Sequence, residues 1–304
     1  MLNRSTWIPL LLAASSVFAA DAIPAHKVER NVVFGMYSGL ALVMDVYRPE
    51  RPNGYGVVFI HGSGWSAPLS VGAAPLKDGE QTRIYGTPLV QAGYTVFAIN
   101  HRAAPRFRYP AQVEDVQRAV RFIRHHARQY GVDAERLGAV GGSSGGHLVS
   151  LLGTMDGKGN LNDPDPVNRE SARVQCVVAR AAPLDLPRLS TDGLRIIPLF
   201  GFPANPADPG SAEQKQHVEA SPVTHVSPDD PPFLLLHGDA DKTVPFSQSE
   251  IFEAALRKAN VTVKLIRVKG GGHGPTFQGA VSPVPDYLGE MIAWLNQYLP
   301  AGHR

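Results

Sequence analysis

The stretch LGAVGGSSGGHL, residues 137–148, decides how this chain is read. Leu137 to Val140 suit a buried strand, HLVSLLG from His147 onward suits the start of a helix, and the turn between them holds Ser143 and Ser144 between two pairs of glycines. A sharp turn from strand into helix is strained and crowded, so glycines must flank its apex, and the strain lifts a serine Oγ clear of the sheet. G-x-S-x-G is satisfied twice, by Gly141 and Gly145 around Ser143 and by Gly142 and Gly146 around Ser144. In a chain with 30 glycines the pattern alone is weak, and local physics does not separate the two registers. Its setting between strand and helix gives it force.

Outward from this turn, YGVVFIHG, YTVFAINH, RLGAVGG, VQCVVARAA and PFLLLHGD are continuous apolar runs, the signature of parallel strands covered on both faces. NVVFGMY and LALVMDVYR alternate instead, as half-buried antiparallel strands do. In PAQVEDVQRAVRFIRHHARQYG, Val113, Val116, Val120, Ile123 and Ala127 form one helical stripe that Gly131 closes. Further helices are expected at about 246–259 and 285–299. The order predicts an α/β fold: one mostly parallel, doubly wound sheet with helices on both faces and an antiparallel N-terminal lead-in. From about 184 to 232 nine prolines interrupt the alternation, which predicts a lid-like insertion over the strand ends. A second, shorter irregular stretch runs from Ser66 to about Gly79.

A serine at the elbow needs a base, and the base needs an acid that holds its tautomer. Downstream, FLLLHGDADKTVP ends one strand with aspartates and VTVKLIRVKGGGHGPTF ends the next with a glycine loop carrying His273. Catalytic groups of open α/β sheets gather at those carboxyl ends. Upstream, the glycine-rich VVFIHGSGW can aim backbone N–H groups at a developing oxyanion, joined by the N–H after the nucleophile. Four such motifs at strand ends in this order are hard to obtain by accident.

Other features point to nothing further. The chain has 304 residues, 43% hydrophobic and 18% charged, and a formal charge of +2 that is too small to imply nucleic acid. Arg118, Arg121, Arg124 and Arg128 recur at helical spacing and read as a solvated helix face. Arg4, the apolar run WIPLLLAASSVF, and Val17 and Ala19 before a plausible cleavage site make residues 1–19 an expected secretory signal, too short to span a bilayer. The mature chain, 20–304, is then expected to be one secreted or periplasmic domain with no integral membrane segment. The lone Cys176 rules out an internal disulfide and reads as a small apolar strand residue. MDGKGNLNDPDP offers Asp156, Asp163 and Asp165, but without calcium-loop spacing, so an acidic turn and no metal or other cofactor is expected. His61, His147 and His237 read as architectural.

HGSGW, INHRAAPRFRYPAQVEDVQRAVRFI, GGSSGGHL, ASPVTHVSPDDPPFLLLHGDADKTVP and GGGHG together resemble the α/β-hydrolase superfamily, in its esterase/lipase branch of hormone-sensitive-lipase-like and feruloyl- or acetylxylan-esterase-like enzymes. The resemblance runs from about residue 32 to 299. It implies that Ser143 is the nucleophile, with Ser144 supplying an oxyanion N–H, that Asp241 rather than the turn-forming Asp239 is the acid, and that His273 is the base. Two departures stand out. The usual H-G-G-G-W is His61-Gly62-Ser63-Gly64-Trp65 here, so one oxyanion position bears a side chain, and Y-R-L-A-P-E is replaced by His101-Arg102-Ala103-Ala104-Pro105-Arg106.

The expected chemistry is hydrolysis of carboxylic esters through an acyl-enzyme, with Ser63, Gly64 and Ser144 holding the oxyanion. With a histidine base of ordinary basicity, rate should fall as pH drops through roughly 6 to 7. Trp65, with Leu199, Phe200 and Phe202 of the insertion and Phe277 after the base, is the expected apolar acyl or aryl pocket. The expected partner is a small-molecule or polymer-derived ester. The competing readings are an arylformamidase-like amide hydrolase with the same triad and a catalytically silent hydrolase fold used for binding.

Overall fold

A computed structural model describes residues 26–191 and 197–300. The signal expected in residues 1–19 lies outside them. The strands are β1 (His26–Tyr37), β2 (Leu40–Pro49), β3 (Gly56–Ile60), β4 (Thr95–Ile99), β5 (Leu137–Gly142), β6 (Cys176–Arg180), β7 (Phe233–Gly238) and β8 (Val263–Val268). They form one sheet in the order β1-β2-β4-β3-β5-β6-β7-β8. β1 and β2 pair antiparallel, β2 joins β4 antiparallel, and every pairing from β4 to β8 is parallel. This is the expected α/β-hydrolase arrangement, with the antiparallel lead-in at one edge.

The helices are α1 (Glu80–Gln91), α2 (Ala111–His125), α3 (Ala127–Tyr130), α4 (Ser144–Thr154), α5 (Leu186–Thr191), α6 (Ile197–Phe200), α7 (Ala212–Glu219), α8 (Ser247–Lys258) and α9 (Tyr287–Tyr298). Side chains alternate across each strand, so β3 and β4 feed two cores. Val58, Ile60, Phe97 and Ile99 pack with Val116 and Val120 of α2, Leu148 of α4 and Phe252 of α8. Val57, Phe59, Val96 and Ala98 pack on the other face with Leu89 of α1 and Met291 and Leu295 of α9. Cys176 is fully buried in β6, where desolvation pushes its thiol up, out of the reactive range. The insertion is not a detached flap. Leu189, Leu199, Phe200 and Ala220 belong to the α2–α4–α8 core, and the Leu199 carbonyl accepts from Tyr109 N–H at 3.0 Å.

Two helical expectations change. The 110–131 helix breaks at His126 (φ −103°, ψ 15°) before α3 ends at Gly131, whose φ of 68° is the left-handed cap expected there. The arginine row on α2 is not a solvated face. Arg118 donates to the Phe34 carbonyl, Arg121 to those of Glu170 and Lys158, and the buried Arg124 to those of Ala134, Ser171 and Arg173. These side chains satisfy main-chain acceptors at Phe34, at Ala134 and along the 156–173 segment. Only Arg128 fits the solvated reading. In that segment Asp156, Asp163 and Asp165 each accept from the N–H two residues on, as turn formers do.

Candidate active site

β5 carries the chain into the elbow. Ser143 has φ 54° and ψ −125°, a conformation costly for a residue with a side chain, and α4 begins at the next residue. The turn survives because its neighbours have no Cβ. A Cβ on Gly145 would run into the Ile60 carbonyl oxygen, and one on Gly141 would lie 2.5 Å from the Gly145 oxygen. The apex is further held by Ser143 N–H, which donates to the Arg180 carbonyl at 2.8 Å.

The geometry separates the two serines. Ser143 Oγ lies 2.9 Å from His273 Nε2, and His273 Nδ1 lies 2.7 Å from Asp241 Oδ2. Ser144 Oγ is buried and accepts the Ser63 N–H at 2.8 Å. Asp241 follows β7 in a tight turn where its Oδ1 accepts from the N–H groups of Thr243 and Val244. Burial alone would raise its carboxyl, but hydrogen bonding from His237, His273 and Val244 N–H holds it well below the usual carboxylate range. A carboxylate is a pure acceptor, so His273 carries its proton on Nδ1 and offers a free lone pair at Nε2. Asp239, two residues earlier, spends its carboxylate on Gly270 N–H (2.6 Å) and Arg267 (2.8 Å), so it forms the turn and stays out of the line.

The loop expected to hold the oxyanion, here called the oxyanion loop, follows β3. Positive φ falls at Gly64 (63°) and Trp65 (57°), not at Ser63, so the side chain that departs from the usual glycine meets no backbone penalty. Gly62 N–H donates to buried Gln81 Oε1 at 3.1 Å. Of the three expected oxyanion donors, Ser63 N–H is occupied by Ser144 Oγ, which leaves those of Gly64 and Ser144.

The pocket expectation needs correction. Trp65 is 4% exposed, and its indole N–H donates to His147 Nδ1 at 3.1 Å with the rings edge to face. Phe200 is 2% exposed against Tyr109 and His217, and Phe277 is 1% exposed between Arg180 and Tyr287. These rings are core, because each found a packing partner before any pocket; Phe202, stacked near Phe200, is half-buried. The architectural reading of His147 and His237 becomes specific. His147 ties the oxyanion loop and the elbow helix to the insertion, its Nε2 lying 2.7 Å from the Ala220 carbonyl. His237 lies between Ser249 Oγ (2.7 Å) and the Val244 carbonyl (3.0 Å), 3.5 Å from Asp241. Among the described residues no three His, Cys, Asp or Glu side chains converge as a metal site would require, and no helix is long and apolar enough to cross a membrane.

A family model, BD-FAE, matches residues 44–256, a span that holds the oxyanion loop, the elbow and Asp241. The chain belongs to the BD-FAE family. It is 36% identical over 240 residues to a probable carboxylic ester hydrolase, LipM, of Mycobacterium tuberculosis, covering 76% of this chain and 52% of that protein. It is 31% identical over 236 residues to the esterase LipQ of the same organism, covering 72% and 53%. The chain thus spans about half the length of the curated relatives it matches. Among solved structures, a truncated carbohydrate esterase from gut microbiota superposes with a TM-score of 0.71 at 27% identity, over 90% of this chain and 96% of that one. An acetyl ester-xyloside bifunctional hydrolase from Caldicellulosiruptor lactoaceticus, at 23% identity and a TM-score of 0.73, shares the fold. His273 lies beyond the BD-FAE match, yet the β8 turn returns it to the two groups inside.

Proposed function

We propose that this BD-FAE member is a serine-dependent carboxylic ester hydrolase. The observation that carries the reading is the unbroken line Ser143 Oγ, His273, Asp241 at 2.9 and 2.7 Å, assembled from three strand ends. The names of the relatives, ester hydrolase and esterase, support the same class.

In this reading Ser143 Oγ attacks the ester carbonyl while His273 Nε2 takes its proton and passes it to the departing alcohol. Asp241 fixes the tautomer and stabilises the imidazolium that forms, a role its lowered pKa suits because it stays a carboxylate. The N–H groups of Gly64 and Ser144 hold the tetrahedral oxyanion, where one donor is worth about 2.7–4 kcal/mol of barrier. Ser63 serves indirectly, because its N–H grips Ser144 Oγ and so keeps the oxyanion loop on the elbow. Water activated by the same histidine then releases the acid. The substrates that fit the reading are esters met outside the cytoplasm, acylated saccharides among them, and N-terminal sequencing of the exported protein tests the processing site after residue 19.

The experiment is hydrolysis of p-nitrophenyl esters from acetyl to long-chain acyl, with Ser143→Ala beside wild type. Turnover by wild type and none by a folded Ser143→Ala supports the proposal. Equal turnover by both, or none by folded wild type, rejects it.

A further inference from the structure

The mechanism leaves one buried charge unused. Arg180 ends β6 with only 2% of its surface exposed, among the largest side chains the fold encloses. A guanidinium does not give up its proton, so a cation sits beneath the elbow. Its Nη2 meets two carbonyl oxygens rather than a carboxylate, and its Nε and Nη1 make no hydrogen bond. The void beside it, lined by Tyr85, Gly141 and Gly142, is too tight for a water molecule. Burying a cation this way is strongly unfavourable, so its contacts must serve a purpose.

Its hydrogen bonds reach the two turns that must meet. Nη2 donates to the carbonyl oxygens of His273 (2.5 Å) and Gly274. The guanidinium carbon lies 4.6 Å from the centre of the Phe277 ring, and Phe277 N–H donates back to Gly274 O at 2.9 Å. The Asp241 carboxylate offsets part of the charge on Arg180 from a distance, and the neutral Tyr85 hydroxyl beside the guanidinium donates to Pro275 O at 2.6 Å. On its main-chain side, the Arg180 carbonyl accepts the Ser143 N–H at 2.8 Å. One residue therefore grips the Ser143 turn with its backbone and the His273 turn with its side chain.

The His273 turn needs such a grip. It reads Gly270-Gly271-Gly272-His273-Gly274, and a run of glycines supplies no side chains to anchor itself and has the most backbone freedom to lose. Asp241 orients the imidazole ring but does not touch the backbone that carries it.

We propose that Arg180 is a positioning residue that fixes the His273 backbone relative to Ser143 and so holds Nε2 within reach of Oγ. This rests on the ester-hydrolase reading. Geometry matters as well as charge: the two N–H groups of one planar nitrogen, Nη2, address two adjacent carbonyls from a fixed direction, whereas a lysine ammonium is a flexible point charge.

The test compares wild type with Arg180→Met, Arg180→Lys and Arg180→Ala in p-nitrophenyl acetate hydrolysis, with rates expressed per active site titrated by a fluorophosphonate and melting temperatures measured alongside. A misplacement of about 1 Å costs on the order of 100-fold in rate. The expected result is a kcat lower by about that factor in Arg180→Met and Arg180→Lys, a KM within about threefold of wild type, and an equal fall in the rate of fluorophosphonate labelling. Ethylguanidinium added to Arg180→Ala should restore much of the lost kcat by filling the vacated site. If Arg180→Met does not fold, the lysine variant and the rescue decide. A kcat per titrated site within threefold of wild type in folded variants, or losses that only track the folded fraction, overturns the inference while leaving the ester reading intact. Wild type inert towards all esters removes both.

Discussion

His147 predicts a pH dependence of stability that can be worked out from its contacts. Trp65 Nε1 can only donate, so His147 Nδ1 must accept, and Nε2 must carry the proton it gives to the Ala220 carbonyl. Both nitrogens are satisfied by one neutral tautomer; a second proton on Nδ1 would face the indole N–H. Burial, only partly offset by the Ala220 bond, lowers the pKa from 6.5 to about 4. The native state therefore resists a proton that the unfolded chain takes up below about pH 6.5, so stability is complete above that value and is lost as pH falls towards 4. Linkage gives a loss of about 2 kcal/mol at pH 5 and about 3 kcal/mol at pH 4 from this residue alone. The assay is urea unfolding of wild type and His147→Gln at pH 7, 6 and 5, read as the difference between the two so that other titrating groups cancel. The gap should shrink by about 2 kcal/mol between pH 7 and 5. A gap that stays constant would refute the neutral, doubly bonded imidazole.

Three further outcomes follow from contacts in the site and the core. Asp241→Asn should leave the fold intact yet lower kcat by roughly 10⁴-fold, because the amide favours the wrong His273 tautomer; steady-state kinetics with p-nitrophenyl acetate measures it, and a loss under tenfold would mean the tautomer is set elsewhere. Ser144→Ala keeps its own oxyanion N–H but frees that of Ser63, so kcat should fall by about tenfold without vanishing, in contrast to Ser143→Ala. Asp230, which accepts from Ser227 N–H and Oγ, has a pKa raised to about 6, chiefly by burial. A raised carboxylate adds stability in acid that is lost as pH rises through 6, so Asp230→Asn should remove a decline of up to about 3 kcal/mol between pH 4 and 7 in denaturant titrations of the two proteins.

Much of this was legible in the sequence because strand ends are written locally. Continuous apolar runs marked the parallel strands, and glycines around Ser143 and His273 marked turns that only those residues allow. The antiparallel entry showed in the alternation of NVVFGMY and LALVMDVYR. What escaped depends on partners distant in sequence. Arg180 looks like the end of an apolar strand until the His273 turn, 93 residues on, is laid over it. The α2 arginines have a helical period whether they face water or carbonyls, and only the path of the 156–173 segment decides between the two. Helix α1 carries Gly86 and Pro88, which blur its apolar stripe. Trp65, Phe200 and Phe277 have the chemistry of a pocket lining, but a large ring near a site is as useful for packing as for binding, and here all three are buried.

The position of β8 has a consequence for how the protein comes into being. β8 pairs only with β7 at the sheet edge, and the turn that follows it delivers His273 to a serine 130 residues earlier. Ser143 can be set in its elbow by β3, β5 and β6 while His273 is still unplaced. Refolding of a Trp294→Phe variant should therefore show two clocks: burial of Trp65 beside α4, visible in its fluorescence, and the later return of turnover, which waits for the edge strand to dock. On the proposed function, turnover would report the completed sheet, and an unlocked edge would yield a protein that glows as native and does no work.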